Sequence, residues 1–255
     1  MTRRAIVLAA GKGTRMKSDL PKVLYPIAGR PIIEYVLDAL ALAGVTEIIV
    51  VVGYRGENVR RGLAGRKNIR FVEQTALLGT GHAVMCCRPY LTDVTGPIFV
   101  IAGDSPMLRG ESVTALFDEY DRKREAGEPV SAVLGTVSKD NPFGLGRILR
   151  DAEGNFLGIV EERDATEQQR AITEVNMSYY VFDTVDLFRA LDQVTTDNAQ
   201  GEYYITDVPA ILRGEGKRVE ALKVLAQEEC LGVNTTQDAA RAEEVILGRP
   251  RGLNR

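Results

Sequence analysis

Short apolar runs alternate with helical segments along the first half of the chain. The apolar runs typical of parallel strands covered on both faces are 5–8, 47–52, 69–72 and 97–102. The helix candidates between and after them are 32–42, 56–63, 81–87 and 111–125. This alternation predicts an α/β fold with a doubly wound, mostly parallel sheet, which binds ligands at the carboxyl ends of its strands.

The second half of the chain is richer in strand-like segments. These are 130–137, 147–149, 156–160 and 175–182, with a hairpin turn at 152–155. We expect them to extend the sheet and to form a second wall over its ligand edge. A helix at 204–212, an extended segment at 218–224 and a final helix at 237–247 follow. The pattern predicts one domain over residues 1–235, with 236–255 as a C-terminal helix and tail.

Composition narrows the functional classes. A length of 255 residues fits one large α/β domain. With a net charge of −3, the chain lacks the excess of basic residues expected of a general nucleic-acid binder. No apolar run reaches the length of a membrane span, and three cysteines make no disulfide framework. We therefore expect a cytoplasmic protein with small-molecule substrates, no nucleic acid and no membrane partner. Nothing in the sequence indicates an oligomeric state.

The loop after the first strand carries the strongest sign of chemistry. Gly11 and Gly13 let the backbone turn and approach a ligand, and the free N–H groups of such a turn bind anions. The loop and its flank also hold three cations, Lys12, Arg15 and Lys22. Thr14 after Gly13 excludes a P-loop, and Met16 stands where a dinucleotide fingerprint needs its third glycine. The loop predicts a phosphate site of another kind.

Polar side chains after apolar runs are the next candidates. Asp104 follows the strand at 97–102, where a carboxylate can hold Mg²⁺, although a turn or a helix cap would also explain it. Asn234 follows a short apolar run and by itself indicates only a turn. His82 and Cys86 have a spacing that could hold a metal on a helix, but two ligands do not complete a zinc site. A small buried cysteine is the preferred interpretation.

Sequence blocks from Leu8 to Asn234 form an ordered pattern. They are LAAGKGTRM, LPKVLYPIAGRPIIEYV, Gln74 followed by LGTGHA, Gly103-Asp104, NPFGLGRI, GIVEERDAT, Glu174-Val175-Asn176, NAQGEYYITDV and Gly232-Val233-Asn234. In this order they resemble the sugar-1-phosphate nucleotidyltransferases, and among these the N-terminal uridylyltransferase (pyrophosphorylase) domain of the bacterial bifunctional N-acetylglucosamine-1-phosphate uridylyltransferases. The resemblance implies the doubly wound, Rossmann-like nucleotidyltransferase fold.

The resemblance also implies roles for individual residues. The nucleotide-binding residues would be Leu8, Ala9, Ala10, Gly11, Gly13, Gln74, Leu78, Gly79 and Thr80, with Gln74 on the uracil. The remaining sets would be Arg15 and Lys22 at the reacting phosphates, Asp104 and Asn234 on Mg²⁺, and Gly146, Glu161 and Asn176 on the sugar. The implied reaction is attack of a sugar 1-phosphate on the α-phosphorus of UTP. The acceptor phosphate is already ionised near neutral pH, so a chain with one histidine needs no strong base.

Departures from the family pattern cluster at the sugar. They are Ala102 in place of tyrosine, Leu145 in place of the tyrosine of Gly-Tyr-Gly-Arg, and Met177-Ser178 in place of Thr-Gly. N-acetylglucosamine 1-phosphate stays the preferred acceptor. The alternatives are glucose 1-phosphate as the acceptor, or another nucleoside triphosphate in place of UTP. A non-catalytic sugar-nucleotide-binding module is the alternative of a different class. The hexapeptide repeats of the family's acetyltransferase half are missing from the sequence, so we expect uridylyl transfer only.

Overall fold

The computed structural model describes residues 2–16 and 18–248, so the end of the predicted tail, 249–255, lies outside the described residues. The strands are β1 (Arg3–Ala9), β2 (Pro26–Ile27), β3 (Arg30–Pro31), β4 (Val45–Val52), β5 (Ile69–Glu73), β6 (Pro97–Ala102), β7 (Ala132–Ser138), β8 (Gly146–Arg150), β9 (Phe156–Val160), β10 (Glu174–Asp183) and β11 (Val219–Leu222). The α-helices are α1 (Ile32–Leu42), α2 (Gly56–Gly62), α3 (Thr80–Met85), α4 (Gly110–Glu125), α5 (Glu167–Arg170), α6 (Thr184–Leu191), α7 (Val208–Gly214) and α8 (Thr236–Gly248).

The central sheet is mixed and mostly parallel, in the order β11-β7-β10-β6-β1-β4-β5. Strand β1 pairs in parallel with β4 and β6, whereas β10 runs antiparallel to both β6 and β7. The hairpin of β8 and β9 branches from β10 through β8. The predicted doubly wound sheet, its β-rich extension and the hairpin turn are therefore confirmed.

Helices bury both faces of the sheet. Along β1, Val7 belongs to the core cluster that contains α1 and α4, while Ile6 belongs to the cluster on the other face, which contains α3, α6 and α7. Both side chains are fully buried. Because neighbouring residues of a strand point to opposite faces, double coverage needs a continuous apolar run rather than alternation. The central strands are recognisable in the sequence for this reason.

A smaller cluster joins the two ends of the described chain. Met16 from the first loop, Ile27 from β2 and Ala239 from α8 are buried together. The backbone N–H of Ala28 donates to Glu243 of α8 at 2.8 Å. The final helix thus packs on the short β2–β3 ribbon, and the domain limit at residue 235 stays a prediction. Within residues 2–16 and 18–248, no helix has both the length and the hydropathy of a membrane span.

Several elements differ from the sequence prediction. The helix predicted at 204–212 starts with a 3₁₀ turn over Ile205–Asp207 and continues as α7 to Gly214. Helix α6, the short helix α5 and the β2–β3 ribbon were not predicted. Helix α6 begins directly after β10, where Asp183 accepts hydrogen bonds from the backbone of Val185 and Asp186. No glycine or proline separates strand from helix, so the N-cap is the only local signal.

We expect Asp183→Ala to destabilise the fold markedly. Its carboxylate caps α6 and also accepts a hydrogen bond from the buried hydroxyl of Tyr120 at 2.8 Å. Loss of the cap and of that acceptor should lower the free energy of unfolding by about 2–4 kcal/mol, measured by urea denaturation. Asp183→Asn keeps an oxygen at the cap and should lose about 1 kcal/mol or less. An alanine variant as stable as the asparagine variant would contradict this assignment.

Candidate functional site

The predicted phosphate loop lies where the strand order of the sheet reverses. At the end of β1, the N–H of Gly103 donates to the carbonyl of Leu8 at 2.8 Å. Just after the strand, the N–H of Tyr54 donates to the carbonyl of Ala10 at 3.0 Å. The loop is therefore held between the segments that follow β6 and β4. Open parallel sheets bind their ligands at such a switch point.

The loop turns sharply and is anchored by one apolar side chain. Gly13 has a φ of +62°, and its carbonyl accepts a hydrogen bond from the N–H of Met16 at 2.9 Å. Met16 is buried in the cluster around β2, while Thr14 and Arg15 stay exposed. This arrangement fixes the backbone of the loop and leaves a cationic side chain at its surface.

A cleft of about 420 Å³ opens beside this loop. Of the residues predicted to bind nucleotide or phosphates, it is lined by Leu8, Ala9, Ala10, Gly11, Gly13, Arg15, Lys22, Gln74, Gly79 and Thr80. Asp104 and Ala102 from the end of β6 line it as well. Leu78 is outside the lining and 43% exposed, although its carbonyl accepts a hydrogen bond from the N–H of Tyr203 at 2.8 Å. The structure thus brings most of the predicted nucleotide residues to one cavity.

Four charged or polar side chains meet at this cleft. The ammonium group of Lys22 forms an ion pair with Asp104 and donates to Oδ1 of Asn234 at 2.7 Å. Arg15 donates to the same Oδ1 at 2.8 Å. Asn234, which by itself indicated only a turn, is brought here by the segment before α8, whose Val233 N–H donates to the Asp104 carbonyl at 3.2 Å. A carboxylate oxygen of Asp104 and the amide oxygen of Asn234, both of the type that Mg²⁺ prefers, therefore contact the same ammonium group of Lys22.

Gln74 closes the far side of the cleft and is 4% exposed. Its Nε2 donates to the carbonyl of Gly79 at 3.0 Å and lies 3.0 Å from Nδ1 of His82. Because the Gly79 carbonyl can only accept, the amide nitrogen must point toward it. His82 thus contacts the candidate base-binding residue. Among the described residues, no group of three or more His, Cys, Asp or Glu side chains forms a metal site.

The predicted sugar residues come together on the β-rich extension. Asn176 of β10 lies opposite Gly146 of β8, and a Cβ on Gly146 would be 3.5 Å from the Asn176 Cβ and 3.6 Å from Oε1 of Glu161. Since β10 is antiparallel to β6 with Tyr180 opposite Val100, the chain before Tyr180 extends beyond the carboxyl end of β6. Asn176 is therefore at the same edge of the sheet as the phosphate loop.

Glu161 is in a poorly solvated position. Burial raises the pKa of its carboxyl, the neighbouring hydroxyl of Thr206 opposes this rise, and the carboxylate of Asp164 adds to it. A carboxyl of this kind can accept or donate a hydrogen bond toward a sugar hydroxyl. Thr206 was not among the predicted site residues, although the block NAQGEYYITDV that contains it was recognised.

Further residues at the site were missed by sequence reasoning. Glu202 lines the cleft beside the glycine loop, and the carbonyl of Tyr203 accepts a hydrogen bond from the N–H of Gly81 at 2.7 Å. This pairing fixes the turn before α3, in which a Cβ on Gly79 would be 2.6 Å from the Tyr203 carbonyl. The block from Asn198 to Val208 was the available signal, but no individual residue in it was assigned a role.

The departures from the family pattern have different environments. Leu145 and Met177 are partly buried and pack against the core cluster that contains α1 and α4. Ala102 lines the cleft beside the glycine loop. Ser178 has a φ of +59° within an irregular stretch of β10, a left-handed conformation that glycine adopts more readily. The usual glycine at this position therefore has a conformational explanation.

The two loop glycines should respond differently to alanine. A Cβ on Gly13 would lie 2.5 Å from the Lys22 Cβ at a positive φ, whereas a Cβ on Gly11 meets nothing within 4 Å. We expect Gly13→Ala to lower the free energy of unfolding by about 1–2 kcal/mol or more, and Gly11→Ala to change it by less than about 0.5 kcal/mol.

Gly11→Ala should instead raise KM for the nucleotide, because the new methyl group lines the cleft. Urea denaturation and steady-state kinetics of the two variants test this division. Equal losses of stability in both, or an unchanged KM in Gly11→Ala, would contradict it.

Comparison with known proteins yields one domain family and two kinds of relative. Residues 5–175 match the MobA-like NTP transferase domain. The chain is 46% identical over 249 residues to the "Bifunctional protein GlmU" of Streptococcus gordonii, covering 98% of this chain and 53% of that protein. For the protein of the same name from Heliobacterium modesticaldum, identity is 47% over the same shares. The chain thus spans about half the length of the curated relatives it matches.

A solved structure shares the fold. It is described as the crystal structure of UDP-glucose pyrophosphorylase complexed with UDP-glucose, and it superposes with a TM-score of 0.76. The match covers 97% of this chain and 99% of the other, at 18% identity. At this identity the likeness concerns the fold.

Proposed function

The chain belongs to the MobA-like NTP transferase domain family, and from this premise we propose that it is a uridylyltransferase. It would join UTP and a sugar 1-phosphate, by preference N-acetylglucosamine 1-phosphate, into a UDP-sugar and release pyrophosphate. The observation that carries this proposal is the convergence of Lys22, Arg15, Asp104 and Asn234 at the cleft beside the glycine loop. A binding module without catalysis would need no such set of charges. The family match confirms that the sequence motifs identified a nucleotidyltransferase.

The amide of Gln74 supports uracil as the base. Its nitrogen is directed to the Gly79 carbonyl and to His82, and among the described residues nothing donates a hydrogen bond to its Oε1. That oxygen can accept from the N–H of a uracil ring, whereas cytosine presents an acceptor at the corresponding ring position. The cleft therefore favours UTP over CTP.

The family implies a divalent metal, and we propose Mg²⁺ held by Asp104 and Asn234. The donor set fits, since a carboxylate and an amide oxygen converge on one cation, the Lys22 ammonium, and Mg²⁺ takes its other ligands from phosphate and water. When bound, the metal would neutralise charge on the reacting phosphates.

The chain's own residues would mainly position two anions. Arg15 and the N–H groups of the glycine loop would hold the pyrophosphate part of UTP, and Lys22 would bind the α-phosphate after exchanging Asp104 for a phosphate oxygen. The acceptor phosphate would then attack in line, with its sugar held beside Gly146, Glu161 and Asn176. Alignment and charge stabilisation supply catalysis of this type.

The proposed setting is the cytoplasm, with two soluble small-molecule substrates. Each cysteine of the chain, Cys86, Cys87 and Cys230, is free in the structure. Free cysteines suit a reducing compartment. Glucose 1-phosphate is the second candidate acceptor, because the departures at Leu145, Met177 and Ser178 lie next to the proposed sugar residues Gly146 and Asn176.

A pyrophosphate-release assay tests the proposed function. The protein is incubated with Mg²⁺, each of four NTPs and a panel of hexose 1-phosphates. UTP with N-acetylglucosamine 1-phosphate should give the highest kcat/KM, and glucose 1-phosphate should react measurably, because apolar changes near a sugar discriminate by only about 1–3 kcal/mol. Absence of pyrophosphate with every pair, or a preference for another NTP, would overturn the proposal.

Lys22→Ala should lower kcat far more than it changes KM for UTP. The ammonium is proposed to act on charge that develops during transfer, and loss of one such group costs about 10²-fold or more in kcat. Lys12→Ala is the matched control, because Lys12 is in the same loop but is exposed and lies over the ring of Tyr54. Steady-state kinetics of both variants provide the measurement. An effect of Lys22→Ala confined to KM would make it a ground-state phosphate anchor.

A further inference from the structure

An irregular stretch of β10 brings two distant side chains into contact. Pairing with β7 is interrupted between Asn176 and Tyr179, and Ser178 adopts its left-handed conformation in the interruption. In a regular strand, residues four apart are separated by about 13 Å, at roughly 3.3 Å per residue. Here Nδ2 of Asn176 donates to the hydroxyl of Tyr180 at 2.6 Å. The contact therefore exists only because the strand is shortened at this point.

The hydrogen bonds around Asn176 define the orientation of its amide. The N–H of Ser178 donates to Oδ1 at 3.1 Å, so this atom must be the oxygen, and Nδ2 must face Tyr180. The Tyr180 hydroxyl in turn lies 3.5 Å from Oγ of Ser178. One N–H and one lone pair of the Asn176 amide remain for a ligand. The amide is thus held on two sides and keeps one donor and one acceptor.

Among the described residues, the hydroxyl of Tyr180 makes no hydrogen bond beyond those with Asn176 and Ser178. Tyr180 is fully buried, and its ring packs 5.4 Å from that of Phe182, a packing that phenylalanine would equally provide. Burial raises the pKa of Tyr180, so the hydroxyl stays protonated and can both accept and donate. Its partners among the described residues are Asn176 and Ser178.

We propose that Tyr180 is a positioning residue for the sugar 1-phosphate, whose hydroxyl orients the Asn176 amide beside Gly146 and Glu161. This inference rests on the proposed function, in which Asn176 binds the sugar. Without the hydroxyl, Asn176 would lose the partner of its nitrogen, and the amide would rotate about its side-chain bonds. The sugar would then meet a less ordered donor and acceptor.

Tyr179 offers a matched control in the adjacent position. It is also fully buried, and its hydroxyl has no hydrogen-bond partner among the described residues. Tyr179→Phe and Tyr180→Phe remove the same atom from neighbouring residues of one strand. Only the second breaks a contact with the proposed sugar site.

The experiment measures KM for UTP and for the best sugar 1-phosphate of the panel in four variants. These are Tyr180→Phe, Tyr179→Phe, Asn176→Ala and the double variant Asn176→Ala/Tyr180→Phe. Tyr180→Phe should raise KM for the sugar 1-phosphate about fivefold, the equivalent of one hydrogen bond, and leave KM for UTP within about twofold. Tyr179→Phe should change neither constant. The double variant should match Asn176→Ala, since Tyr180 acts through Asn176.

Two results would overturn the inference, and they differ in what they imply. If Asn176→Ala raises KM for the sugar 1-phosphate but Tyr180→Phe behaves like Tyr179→Phe, the positioning role alone is wrong. If Asn176→Ala leaves that KM unchanged, the proposed sugar site fails and the inference fails with it. Thermal unfolding of all four variants guards against a general loss of structure, which would lower the fraction of active enzyme and hence the apparent kcat.

Discussion

The Lys22 ammonium group connects three distant parts of the chain at the carboxyl edge of the sheet. It comes from the segment after the glycine loop, Asp104 follows β6, and Asn234 precedes α8. A buried or half-buried charge needs a partner, so these segments are held together by charge as well as by packing. The same convergence puts cations and oxygen donors beside a cleft that would receive phosphates. The packing of this edge and its proposed chemistry therefore both depend on the contacts of Lys22 with Asp104 and Asn234.

Sequence reasoning succeeded where one local property fixes the structure. The apolar run at 97–102 coincides with β6, and the helix predicted at 32–42 coincides with α1. In both elements, the apolar residues that form the pattern in the sequence are the ones that are buried. The glycine loop was recognisable because small residues and cations lie within a few positions, and its binding of phosphate stays a prediction. Helix α6 was missed because its start depends on one Asp183 carboxylate directly after a strand.

The contacts that complete the site depend on long-range packing and could not be predicted from local patterns. Asn234 looked like a turn residue until β6 and the segment before α8 were adjacent, which needs the whole sheet in place. Gln74 differs, because its partners Gly79 and His82 follow it closely in the sequence, and only the direction of its amide needed the structure. Family resemblance supplied these residues as candidates, and the geometry supplies their partners. Thr206 and Tyr180 were not candidates, and their positions beside Glu161 and Asn176 became visible only in the structure.

The proposed nucleotide and sugar sites are built on different parts of the sheet. The candidate nucleotide cleft is lined by residues at and after the ends of β1 and β6, by the segment after β5, by α3 and by Glu202. The candidate sugar residues are on β8 and β10 and just after β9, where the hairpin branches from the sheet. Substitutions at Leu145, Met177 and Ser178 change this branch without touching the cleft lining. The proposed acceptor side can therefore diverge in sequence with little change to the cleft. In this chain three of the four departures lie on or beside the branch, while the fourth, Ala102, lines the cleft.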